Sequence, residues 1–205
     1  PVQKRDISYG FMDGAYMQFS EPTPGAENVQ AGAILPPPQI TVNHGIFESP
    51  FDLAITSGFE GVEIFYSLDG STPAPETGRQ YASPIHIDST TVLRAVAVLD
   101  DTLCSDVVTR SYLFPDDVIH QTNNPAGYPT AWGPYTAIQG TSIADYEMDP
   151  ELMADPEFAA SVKEGLASIP TMSLVTDKGY LFSHSTDPDT GGIYIYTGTP
   201  LSAKE

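Results

Sequence analysis

Short apolar runs separated by turn residues dominate the middle of the chain. Six of them recur between residues 40 and 114 at roughly ten-residue spacing, and helical periodicity is weak there. This pattern is typical of a β-sandwich, whose short strands are joined by tight turns. We therefore predict a mainly β chain with a sandwich over residues 39–114 and strands at 40–42, 51–56, 63–68, 81–87, 91–98 and 107–114.

Alternation inside two of these runs supports the strand assignment. Ile64 and Tyr66 fall on one face of a strand, while Ser67 falls on the other. Leu93 begins a similar alternation that leaves Arg94 pointing outward. A period of two residues is the signature of a strand with two distinct faces.

The flanks of the sandwich are predicted to be irregular or incomplete. Residues 1–28 contain an aromatic-rich stretch around an Asp-Gly turn and are interpreted as the last strands of a β domain. Residues 29–38 are small and proline-rich, which favours extended polyproline geometry and a semi-rigid linker. Residues 115–144 are predicted to form a long irregular connection. Because the first residue is Pro1, the chain is expected to be a fragment or a processed product.

The last sixty residues change character and predict a short C-terminal α+β segment, residues 145–205. Asp149 and Asp155 each precede a proline, which is a strong signal for a helix start. Phe158, Val162 and Leu166 would form one apolar stripe, and the helix would stop before Pro170. Strands are predicted at 171–175 and 193–196, with a loop between them.

Charge and cysteine content exclude several function classes. The 8 basic and 27 acidic residues give a formal charge of −19, which repels nucleic acid and anionic membranes. Cys104 is the single cysteine, so the chain holds no internal disulfide and no cysteine-rich zinc site, and we interpret it as a small apolar filler beside a strand. No apolar run approaches the ~18 residues of a membrane span, so membrane insertion is not expected.

The sandwich region resembles a known module. Residues 66–73 read Tyr-Ser-Leu-Asp-Gly-Ser-Thr-Pro, and residues 90–97 read Thr-Thr-Val-Leu-Arg-Ala-Val-Ala. With Tyr81, Pro84 and Ile85 between them, these segments resemble the immunoglobulin-like domain at the C-terminus of chitobiases and β-hexosaminidases. The resemblance implies an immunoglobulin/fibronectin type III-like β-sandwich. The turn itself is structural, because Asp69 can accept from following amides and Gly70 tolerates positive φ.

Two flanking resemblances set a context. Residues 19–28 resemble the exit of a lamin-tail-like domain. Residues 145–151, 169–177, 181–182 and 192–194 resemble the N-terminal edge of the CotH kinase-like family. Together they imply a bacterial secreted multidomain protein. The lysine, glutamate and aspartates of an active kinase cannot be placed in this chain, so no catalytic residue and no enzyme activity are assigned to it.

The resemblances imply an extracellular or cell-surface location and a non-catalytic role as a spacer or adhesion-type module. Expected partners are other domains of the same polypeptide, neighbouring chains at the cell surface, or glycans. Two alternatives stay open: a fragment of a secreted CotH-like kinase whose catalytic residues lie beyond residue 205, and a carbohydrate-binding accessory module.

Few residues qualify as a binding site. For carbohydrate, the candidates are the aromatic residues Tyr128, Trp132 and Tyr135, whose alternative role is to pin their loop against the sandwich or the next domain. Asp187 and Asp189 resemble the start of a Ca²⁺ loop, but the later acidic ligand is missing and a simple turn is favoured. The four histidines are scattered without metal-ligand spacing, so no cofactor is assigned.

Overall fold

The computed structural model describes residues 7–12, 14–28, 33–100, 103–132, 142–176, 178–183, 185 and 191–192. Over these ranges the chain is mainly β, with several sheets and short helices. It divides into two compact units: residues 1–45 with 49–112, and residues 46–48 with 113–205. The predicted mainly β fold class is confirmed.

The first unit is built from short strands. In chain order they are β1 (Ser8–Met12), β2 (Ala15–Phe19), β3 (Ala33–Ile34), β4 (Gln39–Ile40), β5 (Gly45–Ile46), β6 (Phe51–Leu53), β7 (Ile55–Thr56), β8 (Glu63–Ser67), β9 (Arg79–Gln80), β10 (Ile85–Ile87), β11 (Thr91–Leu99), β12 (Leu103–Cys104) and β13 (Val108–Leu113). The final residues of β5 and β13 belong to the second unit. Each of the predicted sandwich runs overlaps at least one of these strands.

Strand β11 is the centre of the main sheet. The strand order is β5-β13-β11-β8-β9, and β12 also pairs with β11. Strands β8, β12 and β13 all run antiparallel to β11. Two smaller pairs, β4 with β7 and β6 with β10, supply a second layer whose apolar residues are buried.

One face of the main sheet packs on this second layer. Leu93 and Ala95 of β11 are fully buried, and Tyr112 of β13 lies on the same face by register. The edge of the Tyr112 ring contacts Phe51 of β6, with centroids 5.2 Å apart. This contact joins the two layers, as in a β-sandwich core.

The other face of the main sheet is also buried. Phe65, Val96 and Val98 form a cluster with Val107 packed against it. The segment between β8 and β9 approaches this face, because a Cβ built on Gly78 would lie 3.1 Å from the Phe65 Cβ. The residues of β8 alternate between the two faces as predicted, and both faces are buried, because Ser67 is buried as well as Ile64.

The N-terminal hairpin forms a small sheet in the order β1-β2-β3. Its inner face buries Met17 and Phe19, against which Phe59 and Leu103 pack. The segment predicted as a linker contributes strand β3 and the fully buried Leu35, so it is more than a solvated spacer over its described residues. The domain limits proposed above stay predictions.

Cys104 is exposed in strand β12, so the prediction of an apolar filler is wrong. The sequence places it between the strands predicted at 91–98 and 107–114. In the fold, β12 pairs with only the last residues of β11. A short strand at the margin of a sheet leaves its outward side chains in solvent.

The second unit is made of short elements: α1 (Pro115–Ile119), β14 (Ala131–Trp132), β15 (Ser142–Ile143), α2 (Pro150–Met153), α3 (Pro156–Ser168) and α4 (Lys178–Phe182). Asp149 and Asp155 cap α2 and α3 through side-chain oxygens, as predicted. Helix α3 ends one residue before Ile169, which also agrees with the sequence. The predicted irregular connection at 115–144 instead begins with a helix.

The predicted apolar stripe of α3 is partly covered: Val162 and Leu166 are half-buried and Phe158 is exposed, while Ala159 is the buried residue of this helix. One prediction for this unit is wrong. Residues 171–175 form no strand, and Met172 and Leu174 are 84% and 86% exposed. Strand formation needs a paired ladder, and local alternation does not report whether a partner is in place. The strand predicted at 193–196 lies outside the described residues.

Tyr112 generates a prediction on alkaline stability. Its hydroxyl donates to the Val42 carbonyl at 2.9 Å, and burial raises its pKa to about 12, against a smaller opposing effect of Arg110. Since the unfolded state ionises near pH 10, this contribution to stability is complete below pH 10 and is lost as pH rises towards 12. We expect urea unfolding to show a smaller decline over this range in Tyr112→Phe than in wild type.

The Tyr112→Phe chain should also lose about 1 kcal/mol at pH 7, because the Val42 carbonyl loses its donor. Tyr180→Phe, which alters an exposed tyrosine of the second unit, is the matched control and should behave as wild type. Parallel alkaline declines in wild type and Tyr112→Phe would contradict the assignment.

Candidate functional site

The turn at residues 69–73 is ordered by its own side chains. Asp69 Oδ1 accepts from the amide and the hydroxyl of Ser71, at 3.0 and 2.6 Å. Gly70 has a φ of 79°, the left-handed conformation that glycine adopts without strain. Ser67 Oγ donates to the Ser71 carbonyl at 2.5 Å. These contacts match the structural interpretation of the turn.

Arg94 fixes this turn to the main sheet. Its Nη1 donates to the Gly70 carbonyl at 3.2 Å and to Thr72 Oγ1 at 2.8 Å. The Gly70 amide donates in turn to the Val92 carbonyl at 3.0 Å. Arg94 lies on the face opposite Leu93, as predicted. It is nevertheless half-buried rather than exposed, because the turn folds over it.

The aromatic carbohydrate candidates are only partly described. The Tyr128 ring is 41% exposed and meets the rings of Tyr146 and Phe182 edge-on, at 5.7 and 6.0 Å. Lys178 Nζ lies 4.5 Å from the same ring centroid, a cation–π contact. The backbone of Trp132 pairs with Ser142 in β14 and β15.

These contacts place Tyr128 in a small aromatic cluster of the second unit. Neither the Trp132 side chain nor Tyr135 belongs to the described part of the chain, so the three candidates are not brought together here. Sugar binding at these residues stays a prediction.

The calcium candidates Asp187 and Asp189 also lie outside the described residues. Within the described ranges, no group of three or more His, Cys, Asp or Glu side chains is placed to hold a metal ion. His86 Nδ1 lies 2.8 Å from Asp52 Oδ1 in an exposed cross-strand pair between β10 and β6. None of the helices in the described ranges is long and apolar enough to cross a membrane.

One exposed carboxyl has a shifted pKa. Asp116 lies in the first turn of α1 and forms a short ion pair with Lys163 of α3. The hydrogen bond and the charge of Lys163 hold the pKa of Asp116 below its usual value. The pair borders a groove of about 240 Å³ that Phe47 and Phe114 also line. Asp116 stands at the start of this helix, where the helix dipole favours a carboxylate.

A set of aromatic residues in the N-terminal hairpin was not identified as a site from the sequence. Tyr9, Phe11 and Tyr16 lie on the outer face of β1 and β2 and are 54%, 56% and 64% exposed. We call these three residues the aromatic face. The signal that could have found it is the two-residue spacing of Tyr9 and Phe11 in a strand whose inner positions are Gly10 and Met12.

A groove of about 240 Å³ adjoins the aromatic face. Tyr9 and Tyr16 form one part of it, and the remaining wall includes Gln18, Ile34, Pro36 and Asp106. All of these residues belong to the first unit. The groove therefore combines aromatic rings with an amide and a carboxylate side chain.

Comparison with known proteins bears on the sandwich alone. A family model described as Fn3 associated matches residues 53–112, from the end of β6 to the penultimate residue of β13. Residues 53–112 lie in an immunoglobulin/fibronectin type III-like β-sandwich. No curated protein and no solved structure matches the chain. The resemblances to chitobiase-type, lamin-tail-like and CotH-like domains stay predictions.

The contacts of Arg94 predict a specific stability loss. Arg94→Lys keeps the charge but shortens the side chain, so its ammonium does not reach the position from which Nη1 donates to both acceptors. We expect unfolding free energy to fall by about 1–3 kcal/mol, measured by urea denaturation with circular dichroism. Arg79→Lys, on the exposed edge strand β9, is the control and should change stability by less than about 0.5 kcal/mol. Equal effects of the two substitutions would refute the role of Arg94.

Proposed function

We propose that the sandwich is a non-catalytic structural module that spaces and orients neighbouring domains in an extracellular or cell-surface multidomain protein. The observation that carries this proposal is the position of the two connections of the first unit. The N-terminal hairpin packs at one end of strand β11, and the strand that leads out of the unit ends at the other.

The end of β11 on which the hairpin packs is apolar. Phe59 and Leu103 pack against the buried pair Met17 and Phe19 of the hairpin. Leu103 pairs with Leu99, the last residue of β11. Because burial of large apolar side chains supplies roughly 1.5–3 kcal/mol each, this contact holds the hairpin on the sandwich rather than leaving it tethered.

The chain leaves the first unit at the opposite end of β11. Tyr112, the last residue of the first unit, is opposite Thr91, where β11 begins. Strand β11 has nine residues, so at ~3.3 Å per residue its two ends are about 26 Å apart. A rigid strand of this length keeps the two connections of the sandwich separated.

Several polar side chains of the sandwich serve its backbone, which supports a structural role. Ser105 Oγ accepts from the Ala97 amide at 3.0 Å and donates to the Asp106 carbonyl at 2.9 Å. Arg94 and Tyr112 likewise donate to carbonyls. These side chains satisfy main-chain groups in the way a stable fold requires. The proposed extracellular setting rests on the resemblances alone.

Spin labels test the spacer directly. The exposed native Cys104 marks one end of β11, and Ser89→Cys in the exposed turn before β11 marks the other. Double electron–electron resonance between the labels at positions 89 and 104 should give one narrow distance distribution at ~30 Å, as expected for about nine extended residues. The chain that carries a label on Cys104 alone is the control and should give no intramolecular distance. A broad distribution between Cys104 and position 89 would refute a rigid spacer.

An activity measurement separates the structural role from the kinase alternative. The 205-residue chain, incubated with labelled ATP, Mg²⁺ and a general acceptor protein, should transfer no phosphate above a buffer blank. A commercial protein kinase under the same conditions confirms the sensitivity of the assay. Transfer that scales with chain concentration would contradict the non-catalytic role.

A further inference from the structure

We propose that the aromatic face of the N-terminal hairpin, with its adjoining groove, binds a neutral oligosaccharide. This site is separate from the aromatic candidates of the second unit and does not depend on the spacer role of the sandwich. Tyr9, Phe11 and Tyr16 would stack on the sugar rings. Gln18 and Asp106 would hydrogen-bond to sugar hydroxyls.

The hairpin register brings the three rings together. Phe11 is directly opposite Tyr16, and Tyr9 is opposite Gln18. Side chains opposite each other in an antiparallel pair lie on the same face, so all four residues face outward. The turn that sets this register includes Gly14, whose φ is 83°. A one-residue slip would send the rings to the inner face.

The rings are already arranged in the free protein. Tyr9 and Tyr16 stack with centroids 5.6 Å apart and planes 12° from parallel. Phe11 meets Tyr16 edge-on at 5.1 Å. Rings held by their neighbours lose little conformational entropy when a ligand stacks on them, so a larger part of the contact energy appears as affinity.

The backbone under the rings is also held in place. Asn28 Nδ2 donates to the Phe11 carbonyl at 2.9 Å. Gly10, between Tyr9 and Phe11, leaves room for this side chain, because a Cβ there would lie 2.7 Å from Asn28 Nδ2. Met17 and Phe19 anchor the opposite strand from the inner face. The hairpin is therefore a supported platform rather than a free loop.

The groove fits part of a chain-like ligand. Its volume of about 240 Å³ lies below the ~300 Å³ at the small end of typical ligand sites, so it takes a short portion of a longer molecule. Tyr9 and Tyr16 line it together with Gln18 and Asp106. Aromatic faces beside a few polar groups match a sugar, whose ring has an apolar C–H face and a rim of hydroxyls.

Charge argues for a neutral sugar. The chain carries a formal charge of −19, and Asp106 adds a carboxylate at the groove itself. An anionic glycan would be repelled by both. A protein partner is the main alternative for an exposed apolar face, but Gln18, Asp106 and the tyrosine hydroxyls offer hydrogen bonds that suit hydroxyl-rich ligands.

Affinity electrophoresis of the full 205-residue chain tests the proposal. Native gels would contain a soluble neutral polysaccharide, in separate runs a β-glucan, a xylan and a mannan, and chitin oligosaccharides would be titrated by calorimetry. We expect binding to at least one of these ligands. Tyr16→Leu should weaken that binding about tenfold or more, because it removes the ring shared by both aromatic contacts while keeping an apolar strand residue.

Three variants make the result specific. Tyr16→Phe keeps the ring and should bind within about twofold of wild type if stacking dominates. Tyr180→Leu, an equally exposed tyrosine of the second unit, should bind as wild type. Trp132→Ala tests the alternative aromatic candidates and should also leave binding unchanged. Circular dichroism of each variant verifies that the hairpin and sandwich remain folded.

The proposal would be overturned by binding to none of the four ligand types, or by binding that Tyr16→Leu leaves intact while Trp132→Ala abolishes it. Light scattering provides a further decisive outcome. Self-association of wild type that Tyr16→Leu removes, without any sugar binding, would assign the aromatic face to a protein interface instead.

Discussion

The burial of strand β11 on both of its faces is the constraint on which the rest of the first unit depends. A central strand with apolar residues on both sides cannot lie at a surface. It therefore needs a second sheet layer on one side and a cover on the other. The layer comes from the short pairs β4–β7 and β6–β10, and the contact of Tyr112 with Phe51 joins it to the main sheet.

The cover on the second side explains the most distinctive motif of the sequence. The segment that follows β8 begins with the Asp-Gly-Ser-Thr-Pro turn, and Gly78 of the same segment approaches Phe65. Arg94 projects from β11 into this turn and donates to its carbonyl and hydroxyl groups. Gly70 and Thr72 lie 24 and 22 residues before Arg94 in the sequence, and the hydrogen bonds hold all three together. The motif belongs to the architecture of the sandwich, and no chemistry is needed to explain it.

The N-terminal hairpin also buries apolar residues, but on one of its two faces only. Its inner face is buried and holds it against Phe59 and Leu103. Its outer side carries the aromatic face, whose three rings are each more than half exposed. The inner side of the hairpin therefore serves packing, and its outer side is accessible to a ligand. The two proposed roles are compatible, because the sandwich that we propose as a spacer also supports the hairpin at one end.

Local patterns in the sequence determined the longer strands β8, β11 and β13, the Asp-Gly turn and the caps of α2 and α3, because each rests on neighbouring residues or on a short period. The two-residue strands β5, β9 and β12 lie outside the predicted runs. Tertiary structure alone decided the second buried face of β8, the inward role of Arg94 and the exposure of Cys104. Those outcomes depend on which segment covers a strand, and residues far apart in sequence set that. The same reason explains why residues 171–175 form no strand, since a strand needs a neighbouring strand to pair with. The aromatic face likewise required the hairpin register, since only pairing shows that Tyr9, Phe11 and Tyr16 lie side by side.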